Sequence, residues 1–211
     1  MSLVDLSVLY LRIASQVRGL NQTSALEEIE AAARVFCRET LYWRETVETS
    51  SNAGDPSLIV DPIGNDAEPV GVWWVHYGRN KIWPRTQADL NSAYPAWRES
   101  AGATPRYFIQ PSDDELILYP TPLTVETNVR IRAAYQPKLG SLRVGARVVR
   151  NYDEALIDGA LHRILRMPNS PWSNPGAAEE ARIRFEGAIS RARVEARHQE
   201  GPAQEPIRRL A

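Results

Sequence analysis

The spacing of apolar residues changes twice along this chain, and that change limits the folds open to it. Near the start, Leu6, Leu9, Ile13 and Val17 recur at steps of three and four, which places them on one face of a helix. Gly19 ends that run. Ser24 with Glu27 then reads as a capping box, opening a second helix with Leu26, Ile29, Ala33 and Phe36 along one face. From about Tyr42 the pattern turns to short β-branched and aromatic runs bounded by Gly, Pro and Asp. They are Val47, Ile59 with Val60, Val70 to Tyr77, Lys81 to Trp83, Arg106 to Gln110, Glu115 to Tyr119 and Asn128 to Tyr135. Pro111-Ser112-Asp113-Asp114 joins two of these as a hairpin turn, and Thr86 caps a short helical turn through Leu90. Helical spacing returns after Asn151 with Leu156, Leu161, Ile164 and Leu165. Asp153 and Glu154 favour the start of this helix, and Met167-Pro168 stops it. Asn174 as cap with Pro175 at the first helical position opens a long last helix, with Ala181, Phe185, Ala188, Ile189, Ala192 and Ala196 as a narrow small-residue seam.

Short isolated helices are marginal in water, so the terminal helices must bury their stripes against one another. The expected fold is α+β: terminal helices from residues 1–41 and 151–198 form a helical bundle, an antiparallel β domain is inserted at 42–150, and residues 199–211 form a flexible tail. Gly201, Pro202 and Pro206 cannot continue the last helix. No internal repeat or low-complexity block is present.

A chain of 211 residues can bury one good core or two smaller ones. Its formal net charge of -1 gives no global attraction to nucleic acid or to an acidic membrane, so any electrostatic role must be local. Cys37 is the only cysteine. No intrachain disulfide is therefore possible, and Cys37 is expected as a small buried helix residue. The apolar stretch at the start is broken by Asp5 and Arg12, short of a membrane span, and lacks the basic leader and cleavage site of a signal peptide. The Asn21-Gln22-Thr23 sequon is then a coincidence. These features describe a soluble, intracellular structural protein that assembles with copies of itself and with other proteins.

Catalytic signatures are missing: no phosphate loop, no dinucleotide fingerprint, no nucleophile elbow. His76, His162 and His198 stand apart without metal-ligand spacing, so no catalytic residue, metal ligand or cofactor is expected. Asp61, Asp66, Glu68 and the run Asp113-Asp114-Glu115 read as turn residues rather than an opposed acid pair. Trp73 and Trp74 must point to opposite faces of a strand, one into the core and the other to solvent or a neighbour. With Trp83, Trp97, Tyr77, Tyr94 and Tyr107 they fit a core and a subunit interface, against the rival of sugar or base stacking. Arg130, Arg132, Lys138, Arg143, Arg147 and Arg150 follow one another with no acidic residue between them. That is either a solvated face or a surface for an acidic partner, or for DNA passing without being read.

Several stretches in fixed order carry a family resemblance. They are Ala31-Ala32-Ala33-Arg34-Val35-Phe36-Cys37-Arg38-Glu39-Thr40 followed by Tyr42-Trp43, then Pro105-Arg106-Tyr107-Phe108, Leu116-Ile117-Leu118-Tyr119-Pro120-Thr121-Pro122, and Arg132-Ala133-Ala134-Tyr135-Gln136-Pro137. Tyr152-Asp153-Glu154-Ala155-Leu156-Ile157-Asp158-Gly159-Ala160-Leu161 and Met167-Pro168 to Pro171-Trp172 complete the set. In these the chain resembles the head-to-tail adaptor (connector, gatekeeper) proteins of tailed bacteriophages, of the tubular-tail type found in short-tailed phages. The resemblance implies a structural virion protein at the head-tail junction, assembled in the host bacterial cytoplasm. It further implies docking on the portal protein as a dodecameric homo-oligomer, passage of double-stranded DNA, a platform for a tail or nozzle protein, and no membrane contact. By position it makes Ile207, Arg208, Arg209 and Leu210 portal contacts. The alternatives are a carbohydrate-binding or hydrolytic β module of a phage particle, and a nucleic-acid-binding regulator, which the near-zero net charge disfavours.

Overall fold

In the computed structural model, which describes residues 2–200, helical stripes and strand runs separate into two units. The helical unit takes in residues 2–43, 63–68 and 135–199. It opens with β1 (Leu3–Asp5), whose antiparallel partner is β11 (Arg143–Gly145), a pairing with no signal in three-residue segments. The single helix expected over Leu6 to Val17 is instead a 3-10 turn, Leu6–Leu9, followed by α1 (Tyr10–Ala14). Asp5 caps the turn, accepting from the Ser7 amide at 2.8 Å. Leu6, Leu9, Ile13 and Val17 are nevertheless all buried.

Helix α2 (Gln22–Thr40) starts earlier than the expected capping box. Asn21 is the cap, its side chain accepting from the Thr23 amide at 2.9 Å, so Ser24 and Glu27 lie inside the helix. The buried face turns with it. Ala25 replaces Leu26, and Ala25, Ile29, Ala32, Ala33, Phe36 and Cys37 are each 0% exposed. The Cys37 thiol is buried as expected, and burial pushes its pKa up.

Helix α4 (Ala146–Ile164) also starts early, five residues before Asn151, and bends at Tyr152 (φ -140°, ψ 26°). The expected start near Asp153 marks the second half of this bent helix. Gly145 precedes it because a Cβ there would lie 2.7 Å from the Trp43 ring. Helix α5 (Pro175–Glu200) begins as expected, with Asn174 accepting from the Ala177 amide at 3.1 Å, and runs two residues past His198. Its seam Ala181, Phe185, Ala188, Ile189, Ala192 and Ala196 is buried. Gly159 of α4 sits where α2 and α5 converge. A Cβ there would meet Phe185 at 2.9 Å and Ala32 at 3.0 Å, which explains a glycine inside a helix despite its cost of about 1 kcal/mol.

The second unit takes in residues 44–62 and 69–134. Its seven-stranded sheet has the order β2 (Arg44–Ser51), β10 (Glu126–Pro137), β4 (Ala67–Tyr77), β5 (Asn80–Pro84), β7 (Tyr107–Ile109), β8 (Glu115–Tyr119), β3 (Ser57–Ile59). The sheet is mostly antiparallel, with β5 and β7 running parallel. The turn over residues 111–114 forms the expected hairpin, pairing Phe108 with Leu118 and Ile109 with Ile117. A small parallel pair, β6 (Ala101–Gly102) and β9 (Thr121–Pro122), closes the set. Between β5 and β6 lies α3 (Gln87–Ala93), capped by Thr86 and Asp89 in a reciprocal box with bonds of 3.1 and 3.2 Å. One face of the sheet is core: Leu58, Val75, Ile82, Phe108, Leu116 and Leu118 are each at most 2% exposed. On the other face Leu90 of α3 and Trp97 cover Ile109 and Tyr119. No helix among the described residues is long and apolar enough to cross a membrane.

Candidate functional site

The acid-free run of cations is divided between the units. Arg130 and Arg132 stand on β10 in the sheet unit, where Arg132 donates to the Thr46 hydroxyl on β2 at 3.2 Å. The other four belong to the helical unit. Lys138 donates to the Gly64 carbonyl at 3.3 Å, and Arg143 approaches Asp66 at 3.9 Å. Arg147 lies over the Tyr42 ring at 5.3 Å, and Arg150 is exposed at the end of the first half of α4. Ile207, Arg208, Arg209 and Leu210 lie outside the described residues.

The carboxylates divide in the same way. In the helical unit Glu68 accepts from Arg34 at 3.1 Å and from Gln136 at 2.6 Å, and Asp66 accepts from the Ser141 hydroxyl at 3.2 Å. These are structural contacts. Asp61, Asp113, Asp114 and Glu115 belong to the sheet unit, near its β3–β8 edge, where Glu115 accepts from the Ser57 hydroxyl at 2.9 Å. Among the described residues no group of three or more His, Cys, Asp or Glu is placed to hold a metal ion. Burial first, then Arg130 and Lys81, hold the His76 pKa below its ordinary range. His162 meets the Ala178 carbonyl at 3.1 Å, and His198 is exposed.

The tryptophan pair splits as expected: Trp73 is 3% exposed and Trp74 stands half-buried on the other face, edge-on to His76. Register extends that outer face across neighbouring strands. His76 is opposite Lys81, Trp83 is beside Tyr107, and Tyr107 is opposite Tyr119. Trp83 remains 50% exposed and Tyr94 40%. A cleft of about 710 Å³ opens among Lys81, Trp83, Tyr94, Arg106, Tyr107 and Tyr119. Lys81 lies 4.7 Å from the Trp83 ring centre and Arg85 5.1 Å from that of Tyr107. Lys81, Arg85 and Arg106 were not legible as site residues, because they lie apart in sequence and only register gathers them. The alternation Lys81-Ile82-Trp83 was the available signal.

In the helical unit, the bend at Tyr152 brings two phenols to one carboxylate. Glu195 accepts from Tyr42 at 2.9 Å and from Tyr152 at 2.7 Å, and Asn151 donates to the Tyr42 oxygen at 2.7 Å. Phe36 packs 4.9 Å from the Tyr152 ring. This cluster ties α2, α4 and α5 together.

The SU10 adaptor protein family model matches residues 5–209, nearly the whole chain. The chain belongs to this family, and is thus a bacteriophage adaptor protein. A search of curated proteins found no match.

Proposed function

We propose that the chain is a structural head-to-tail adaptor of a phage particle. Copies dock on the portal protein as a ring, dodecameric by family resemblance, extend the channel through which DNA passes, and present a platform to a tail or nozzle protein. The observation that carries this reading is the match over residues 5–209, which spans both units and reaches into the last residues of the chain. Two features support it. The surfaces just described suit protein contacts, and the segment 201–211 holds two apolar anchors, Ile207 and Leu210, around Arg208 and Arg209. The proposed role of that segment is portal docking. Arg130, Arg132, Lys138, Arg143, Arg147 and Arg150 are proposed as contacts to passing DNA or to an acidic partner. The test is deletion of 201–211: the truncated protein keeps its melting temperature and no longer decorates portal rings. Truncated protein that decorates them at full occupancy removes the docking role.

A further inference from the structure

The outer face of the sheet in the second unit carries two unlike patches, one on each side of α3. On the β4–β5–β7 side stand Trp74, Lys81, Trp83 and, at the mouth of the cleft, Tyr94 and Arg106. From Arg79 to Arg106 the chain holds five cations (Arg79, Lys81, Arg85, Arg98, Arg106) and two carboxylates, Asp89 and Glu99. Asp89 is engaged in the α3 cap. On the β8–β3 side the same face carries Glu115, opposite Ile59, with Asp114 next to it in the hairpin turn. Ile59 is 51% exposed on the last strand of the sheet, an apolar side chain on an edge open to pairing.

One patch is aromatic and cationic; the other is aliphatic and anionic. A contact between two different patches of one molecule is heterologous, and when its rotation closes it generates a ring. We infer that the two patches are the two halves of one interface: the Trp83–Lys81–Arg106 patch of one copy receives the Ile59–Asp114–Glu115 edge of the next. This rests on the ring reading above and names the surfaces that close it. The chemistry is a half-exposed indole and tyrosine covering the isoleucine, with charge-assisted contacts around them. The complementarity of charge within one chain favours a second copy over a nucleic acid, which would leave the acidic edge without a role.

The test is a charge swap in the full chain, assembled on isolated portal rings and read as occupancy by electron microscopy. The basic-side variant carries Lys81→Glu and Arg106→Glu; the acidic-side variant carries Asp114→Lys and Glu115→Lys. Each stays folded, the acidic-side variant giving up the Ser57–Glu115 hydrogen bond, and each loses roughly tenfold or more in affinity for the ring. Mixing the two, or combining all four substitutions in one chain, restores occupancy, because every interface regains opposite charges. Single-side variants that occupy rings like wild type overturn the inference, and so does failure of both the mixture and the combined variant to recover. Wild-type protein that forms no ring at all overturns the adaptor reading itself, so the two failures are distinct. A labelled single-stranded oligonucleotide that binds wild type and not the basic-side variant, with ring occupancy untouched, assigns the patch elsewhere and also overturns the inference.

Discussion

Glu195 shows how one side chain makes a bundle sensitive to acid. Burial pushes its carboxyl up, but hydrogen bonds from Tyr152 and Tyr42, with the field of Arg147, outweigh burial and hold it below the usual carboxylate range. Burial, and then the same contact, push the Tyr152 phenol up. A carboxyl depressed in the folded state contributes stability that is present above its unfolded value, near pH ~4.3. That contribution is lost as pH falls through the folded value. Unfolding free energy should therefore decline as the pH drops below about 5. Tyr152→Phe keeps the ring against Phe36 and removes one donor. It should cost about 1 kcal/mol at neutral pH, since a partly exposed carboxylate retains water, and should flatten the acid limb. Denaturant titrations at several pH values check this, and identical limbs in both proteins would uncouple the network from stability.

At the scale of elements, the buried stripes make the strongest demands. Phe36 is fully buried against Tyr152, Tyr42 and Phe185, and Leu161 is 4% exposed. Phe36→Ala should destabilise by roughly 3–5 kcal/mol and Leu161→Ala by roughly 2–5 kcal/mol, from lost transfer energy plus a cavity. Thermal melts matching wild type would place these faces in solvent. The elements most legible in the sequence were those with a local chemical signal: Asn174-Pro175 for α5, Thr86 for α3, and the Pro111–Asp114 turn between β7 and β8. The misread boundaries were set by contacts that spacing does not record. Asn21 captured the α2 amide before Ser24, and β11 fed straight into α4, moving its start to Ala146 and leaving a bend at Tyr152. Three-residue β1 pairs with a strand about 140 residues away, which no local pattern announces. The outer sheet face was half legible: the opposed Trp73 and Trp74 were readable, while Lys81, Arg106 and Ile59 needed strand register.

For the molecule as a whole, assembly should depend on the partner. On the proposed role, portal contacts hold the copies in place, so the ring forms when the portal is present. Light scattering of the isolated chain should therefore report monomers or weak oligomers at modest concentration, and a stable ring without portal would contradict that dependence. The adaptor reading meets its most direct test in electron microscopy of isolated portal rings, with and without the protein in stoichiometric excess. An adaptor should add a second ring of density stacked on one end of the portal, continuous with its channel. Portal rings that look the same in both samples would contradict it.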